Sequence, residues 1–121
     1  IDIYDAVIVN IGFNYEIIVH PTRDKIEVLN SVNRKLRKEL QDKMYIGEPF
    51  YITNVYNIIN KVDGVVDTTK VVPVLTEGVN YNSSTVTISE IKSKDGTFLK
   101  APRNSIFEIK NFNRDIKGTA V

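Results

Sequence analysis

His20 is the only histidine of the chain, and by residue type it is the side chain best suited to proton transfer near neutral pH. It closes a stretch of alternating apolar and polar residues and is followed at once by Pro21. A general base needs a nucleophile, a metal ion or an orienting carboxylate within reach, and no spacing in the sequence supplies one. We therefore interpret His20 as a surface or edge residue, and a catalytic or metal-binding role is the weaker alternative.

Two carboxylates, Asp63 and Asp67, stand four residues apart, as a pair of metal ligands could. Gly64 lies between them, where a helical pattern gives way to a valine-rich run. Side chains that flank a helix-to-strand junction are not expected to share a face. The sequence therefore predicts cap and turn roles for both carboxylates.

Arg34-Lys35-Leu36-Arg37-Lys38 is the one dense basic run, and basic runs can contact phosphate. No aromatic residue is interleaved with these cations, and Glu27 and Glu39 dilute their charge. Positive charge in the later half of a helix is also favoured by the helix dipole. We interpret the run as a solvated helix face, with contact to a protein partner as the second interpretation and nucleic acid as the weakest.

The composition excludes several classes of site. The 121 residues include no cysteine, which rules out disulfides, thiolate nucleophiles and cysteine-based zinc sites. The six glycines never cluster as a dinucleotide-binding fingerprint or a P-loop requires. Asn82-Ser83-Ser84 matches the N-glycosylation pattern, but we interpret it as a turn. The sequence thus predicts no catalytic residue, no cofactor and no metal site, and the protein is not expected to be an enzyme.

Charge and hydropathy limit the partners in the same way. A formal net charge of +1 gives no overall field to attract nucleic acid or an anionic membrane. No apolar run reaches the roughly 18 to 20 residues that cross a bilayer. We expect neither nucleic acid nor a membrane as a partner.

The first elements that must position these residues are a strand and a long helix. Alternation predicts a strand over residues 13–20, ended by Pro21. Thr22 is the predicted N-cap of a helix over residues 23–43. One stripe of that helix carries the apolar residues expected to pack on a sheet, namely Ile26, Leu29, Val32, Leu36 and Leu40.

Four residues are predicted to shape the backbone beyond that helix: Gly47, Pro49, Asp63 and Gly64. Gly47 and Pro49 interrupt regular secondary structure after the first helix. Thr53 is then the predicted N-cap of a second helix over residues 54–61. Asp63-Gly64 ends this helix, because glycine tolerates the left-handed conformation common at helix ends. A strand over residues 65–74 follows, and Pro73 near its end favours an edge position.

The later residues carry turn signals between short β-type runs at residues 85–91, 97–101 and 106–112. Asp95-Gly96 is the strongest hairpin signal among them. The predicted fold is α+β, with two helices packed on a mixed or antiparallel sheet and followed by β-hairpins. We expect a single domain over residues 1–121, with a core at 13–75 and a hairpin extension at 76–121. Residues 1–12 are interpreted as a strand or lead-in, and the chain as the C-terminal part of a longer protein.

Two features of the chain suggest contacts with other proteins. The runs Val65-Val66 and Val71-Val72-Pro73-Val74 form a β-rich edge that could pair with another chain. Aromatic residues are enriched at interfaces, and several of them surround the second helix. Tyr45, Phe50, Tyr51 and Tyr56 are therefore either interface anchors or core residues.

Residues 46–67 read I-G-E-P-F-Y-I-T-N-V-Y-N-I-I-N-K-V-D-G-V-V-D. A strand and a long helix precede this stretch, and the whole pattern resembles the C-terminal region of the baseplate J family of contractile phage tails, including its T-even-type wedge subunits. The motifs that carry the resemblance are the Ile46-Gly47 loop, the Val62-Asp63-Gly64-Val65 turn and the strand that begins Val66-Asp67. The resemblance covers residues 13–74, about half of the chain.

The resemblance implies a structural role in the virion, in a wedge assembled in the host cytoplasm. It implies a homodimer that joins other baseplate proteins in a ring around the tail tube, with no small-molecule substrate. An alternative from a different class is a small α+β ligand-binding or regulatory domain, since two helices on one face of a sheet can frame a pocket. An enzyme that uses carboxylates or tyrosines as acid and base is the weakest interpretation.

Overall fold

The structure is a computed structural model, and it describes residues 7–41, 45–76 and 86–121. Six strands and four helices follow one another along these residues: β1 (Val7–Val19), α1 (Lys25–Leu40), β2 (Phe50–Tyr51), α2 (Ile52–Asn60), β3 (Val65–Leu75), α3 (Ile88–Ile91), β4 (Phe98–Leu99), β5 (Ser105–Glu108), α4 (Phe112–Asp115) and β6 (Ile116–Ala120). The predicted α+β class is confirmed.

The main sheet is built around β1, the longest strand. β3 pairs with it antiparallel along one side, from Ile11↔Leu75 to Val19↔Val65. β5 and β6 pair with it parallel, in register at Val7↔Ser105 and Phe13↔Ile116. The sheet is therefore mixed, and β3 lies at its edge as Pro73 predicted.

The core lies between one face of β1 and the two longer helices. Burial alternates along β1 from Phe13 to Val19, as the period of two predicts, and residues 9–13 are all buried. α1 covers that face with Val28, Val32, Leu36 and Leu40, and α2 with Ile52, Val55, Ile58 and Ile59. Phe13 also makes ring contacts with Tyr15 and Phe50, at centroid separations of 6.5 and 6.2 Å.

Both predicted helix N-caps are wrong, each by two residues. The N-cap of α1 is Asp24, whose carboxylate accepts the Ile26 N–H at 2.9 Å, and Thr22 belongs to the preceding turn. α2 begins earlier than predicted, at Ile52, so Thr53 lies inside the helix. The buried stripe of α1 also runs through Val28, and Ile26 is 70% exposed.

The later part of the chain differs more from its prediction. Within the predicted β run at 85–91, residues Ile88–Ile91 form one helical turn. The Asp95-Gly96 turn does reverse the chain, since Lys92 and Leu99 form an antiparallel bridge around it. β4, which follows that turn, pairs antiparallel with β2 in a separate two-stranded sheet. β5 and β6 extend the main sheet instead of forming the predicted hairpins.

Candidate interaction surfaces

His20 is a turn residue in the structure. Its Nδ1 accepts the Thr22 backbone N–H at 3.3 Å and lies 2.8 Å from the Thr22 hydroxyl. An Nδ1 that accepts the backbone bond leaves the ring proton of the neutral imidazole on Nε2. These bonds join His20 to the turn that precedes α1.

Asp63 and Asp67 make separate local contacts. The Asp63 carboxylate accepts a hydrogen bond from the Arg23 guanidinium at 2.7 Å, which links the start of α1 to the turn before β3. This bond and the adjacent positive charge hold the pKa of Asp63 below its ordinary value. Asp67 accepts the Thr68 backbone N–H at 2.9 Å. In the described part of the chain, no group of three or more potential ligand side chains could hold a metal ion.

The two predicted turn glycines, Gly47 and Gly64, have the positive φ that glycine tolerates. Gly64 has a φ of +95°, and its carbonyl accepts the His20 N–H at 2.9 Å. Gly47 has a φ of +76° and donates its N–H to the Ser105 carbonyl at 2.8 Å. Pro49 is half-buried just before β2. Asn82-Ser83-Ser84 lies outside the described residues.

The valine-rich edge of β3 is already occupied by local groups. The Val71 N–H, which points away from β1, donates to the Tyr56 hydroxyl at 2.9 Å. Pro73, two residues further on, has no N–H to offer. The Thr68 N–H is taken by Asp67. These contacts occupy donors of the edge in the manner typical of protected edge strands. That the edge pairs with another chain stays a prediction.

The aromatic residues around α2 divide between core and surface. Phe50 is buried, and Tyr56 is half-buried with its hydroxyl on the β3 edge. Tyr45 and Tyr51 are exposed. The Tyr51 ring packs against Phe98, with their centroids 5.7 Å apart.

Opposite the two longer helices, no element of the described residues covers the face of the main sheet over three neighbouring strands. We call it the open face, and it consists of three rows of register partners: Val72, Asn14 and Lys117; Lys70, Glu16 and Thr119; Asp67, Ile18 and Val121. Val121 follows β6 and continues its register, because its N–H donates to the Ile17 carbonyl at 2.9 Å. The central strand supplies Asn14, Glu16 and Ile18, the residues that alternate with its core positions.

The three rows form a grid of three by three residues. Val72 and Val121 occupy two diagonally opposite corners of this grid, and Ile18 lies in the middle of the third row. Ile18 is 37% exposed, Val72 47% and Val121 52%. Glu16 at the centre contacts Lys70 at 3.9 Å and accepts a hydrogen bond from the Thr69 hydroxyl at 2.8 Å. The open face therefore combines apolar contact area with paired charge. The sequence signal for it was Ile18 on the polar side of β1.

The basic run of α1 divides between two environments. Lys35 forms an ion pair with Glu39 at 3.4 Å, on the exposed surface of the helix. Arg34 and Arg37 instead line grooves between α1 and the later strands. None of the helices within the described residues has the length and apolarity of a membrane span.

Comparisons with models of protein families, with curated proteins and with solved structures found no match to this chain.

Proposed function

We propose that this chain is an assembly module that self-associates through the open face, as a wedge component of a contractile phage tail baseplate. In this role it forms a homodimer and contacts other baseplate proteins within the virion. The observation that carries the proposal is the set of exposed aliphatic residues, Ile18, Val72 and Val121, on an uncovered sheet face. The likeness of residues 13–74 to the baseplate J family supplies the biological setting.

The charges of the open face are arranged for contact with a second copy. Asp67 and Lys117 occupy diagonally opposite corners of the grid. A two-fold axis along the other diagonal, from Val72 to Val121, stacks two open faces so that Asp67 of each copy meets Lys117 of the other. The same axis brings each corner valine onto its own equivalent, and the strands of the two sheets cross steeply, as in orthogonal sheet packing. It also passes through the central Glu16, whose charge is offset within each copy by Lys70 at 3.9 Å.

The size of the face determines how strong such a contact is. Three strands about 4.8 Å apart, over about five residues of roughly 3.4 Å rise, give a patch of about 14 by 17 Å. It contains a depression of about 450 Å³ around Asn14, Glu16 and Lys70. A stable interface buries about 800 Å² per partner, several times more. The isolated chain therefore dimerises weakly. Weak contacts of this kind become strong when several act together in a ring, which suits an assembly component.

The test measures molar mass by light scattering over roughly 10 μM to 1 mM, the range that weak contacts require. We expect the mass to rise from 13.8 kDa toward twice that value. Ile18→Glu places a charge in the contact and should keep the chain monomeric. Ile26→Glu makes the same change at an exposed position on α1 and should associate like the parent chain.

A charge exchange tests the geometry of the pair. Asp67→Lys and Lys117→Asp should each weaken association, and the double variant should restore it, because the opposite charges again face each other. A parent chain that stays monomeric at the highest concentration contradicts the proposal. A small molecule that is released on denaturation and seen by native mass spectrometry would instead support the ligand-binding alternative.

A further inference from the structure

We propose a second interaction surface, a groove between α1 and the segment from β5 to β6, which binds an extended acidic and apolar peptide segment of a different protein. This inference does not rest on the open face. The two surfaces share no residue.

The groove consists of two adjoining depressions along α1. The larger has a volume of about 420 Å³ and lies between the end of α1 and residues 106–113. The smaller, of about 280 Å³, lies between the middle of α1 and α4. Arg37, Phe112 and Asn113 line both, so the depressions form one continuous trough, which we call the basic groove.

The charge of the basic groove selects an acidic occupant. Among the described residues, Arg34, Arg37 and Lys110 line it, together with the carboxylate of Glu108. Arg37 is exposed and makes no ion pair with any carboxylate of the described residues. An arginine guanidinium recognises a carboxylate through two parallel hydrogen bonds, which gives both affinity and orientation.

The walls and floor of the groove suit an extended backbone. Carboxamide side chains line the trough: Asn30, Asn33, Gln41, Asn111 and Asn113. The Asn33 and Asn111 oxygens already accept hydrogen bonds within the fold, which leaves these two side chains as donors to a peptide. Its floor includes apolar residues, with Phe112 half-buried. β5 borders the groove and, among the described strands, pairs only with β1. The Ser105 carbonyl at the start of β5 already accepts the Gly47 N–H at 2.8 Å, so an incoming strand can add to this edge only beyond Ser105.

The length of the groove sets the length of the peptide. It follows α1 from Asn30 to Gln41, which at about 1.5 Å per residue is roughly 17 Å. An extended peptide of about five residues spans that distance. Because side chains of an extended peptide alternate between two sides, acidic residues reach the arginines while apolar residues reach the floor.

Nucleic acid fits the groove less well than a peptide. Single-stranded nucleic acid is bound by aromatic platforms along a continuous positive track. Here Phe112 is the one aromatic side chain among the groove-lining residues that is not fully buried, and Glu108 interrupts the positive track.

The test uses fluorescence anisotropy with a labelled peptide of sequence Glu-Val-Glu-Val-Glu-Val at low salt. We expect saturable binding that weakens as salt is added, because exposed charge pairs are screened. Arg37→Glu should weaken binding at least tenfold. Lys61→Glu makes the same change of charge at the end of α2, away from the groove, and should bind like the parent chain. Thermal unfolding of each variant verifies that the fold is retained.

Three further probes decide between this inference and its competitors. Lys-Val-Lys-Val-Lys-Val should not bind, since its charge repels the arginines, and Glu-Ser-Glu-Ser-Glu-Ser should bind more weakly because it cannot fill the floor. An Arg37→Glu variant that binds the acidic peptide unchanged would overturn the inference. So would an oligothymidylate probe that binds through Arg37 while the acidic peptide does not bind.

Discussion

Gly64 shows how one residue determines the junction between α2 and β3. Its φ of +95° is strained for any other residue, and an added Cβ would lie 2.8 Å from a methyl carbon of buried Val28. Gly47 has a similar φ of +76°, but an added Cβ there meets nothing within 4 Å. The two glycines therefore separate the cost of backbone strain from the cost of overpacking.

We expect Gly47→Ala to destabilise the fold by about 1 kcal/mol, from backbone strain alone. Gly64→Ala should cost about 2–4 kcal/mol, because strain and overpacking add. Urea unfolding monitored by circular dichroism measures both values. Equal losses at the two positions would show that the contact with Val28 relaxes without cost.

The ion pair between Asp63 and Arg23 makes stability depend on pH. The pKa of Asp63 is lowered in the folded chain, chiefly by the hydrogen bond from Arg23 and then by its charge. The pair therefore contributes stability above about pH 4, the ordinary range of an aspartate, and this contribution is lost as the pH falls through the lowered value.

Asp63→Asn should melt at a lower temperature than the parent chain at pH 7, and the two melting temperatures should converge near pH 2. The effect is small, because the Asp63 side chain is 93% exposed and solvent screens the pair. Asp67→Asn is a control that leaves the Arg23 pair in place. A melting difference for Asp63→Asn that persists at pH 2 would assign the stabilisation to packing.

At the scale of elements, local patterns predicted the strand over 13–20, both longer helices and the strand over 65–74. They could not predict that β1 takes parallel partners from residues 105–120, since the two segments are about a hundred residues apart. Gly118 illustrates the difficulty: a side chain there would overlap the Tyr15 ring, so β6 can dock only because residue 118 is glycine. The open face was equally hidden, because it exists only when β3, β1 and β6 are adjacent.

The protected edge of β3 gives a prediction at this scale. Tyr56→Phe removes the hydroxyl that accepts the Val71 N–H and leaves that amide without its partner. We expect a loss of about 1 kcal/mol in the free energy of unfolding and faster hydrogen exchange at the Val71 amide. Tyr51→Phe, on an exposed ring, should leave both unchanged. Unaltered exchange at Val71 in the Tyr56→Phe variant would contradict our account of how this edge is blocked.

At the scale of the whole molecule, the two longer helices cover one face of the sheet, and in the described residues the open face on the other side stays exposed. In the association that we propose, the open face offers the apolar contact area. The basic groove shares no residue with the open face, so the proposed pair would still present two grooves to other proteins. This division of surfaces suits a component that must contact several neighbours at once.

The central claim is that the open face is where two copies meet, and the cysteine-free sequence permits a direct test. A single cysteine replaces Thr119 on the open face, or Asn57 on the exposed side of α2, and carries a nitroxide spin label. The measurement is the dipolar coupling between labels at a concentration where the molar mass has risen. We predict strong coupling for the label at position 119, lost in the Ile18→Glu background, and weak coupling at position 57. Strong coupling at position 57 with none at 119 would contradict the account.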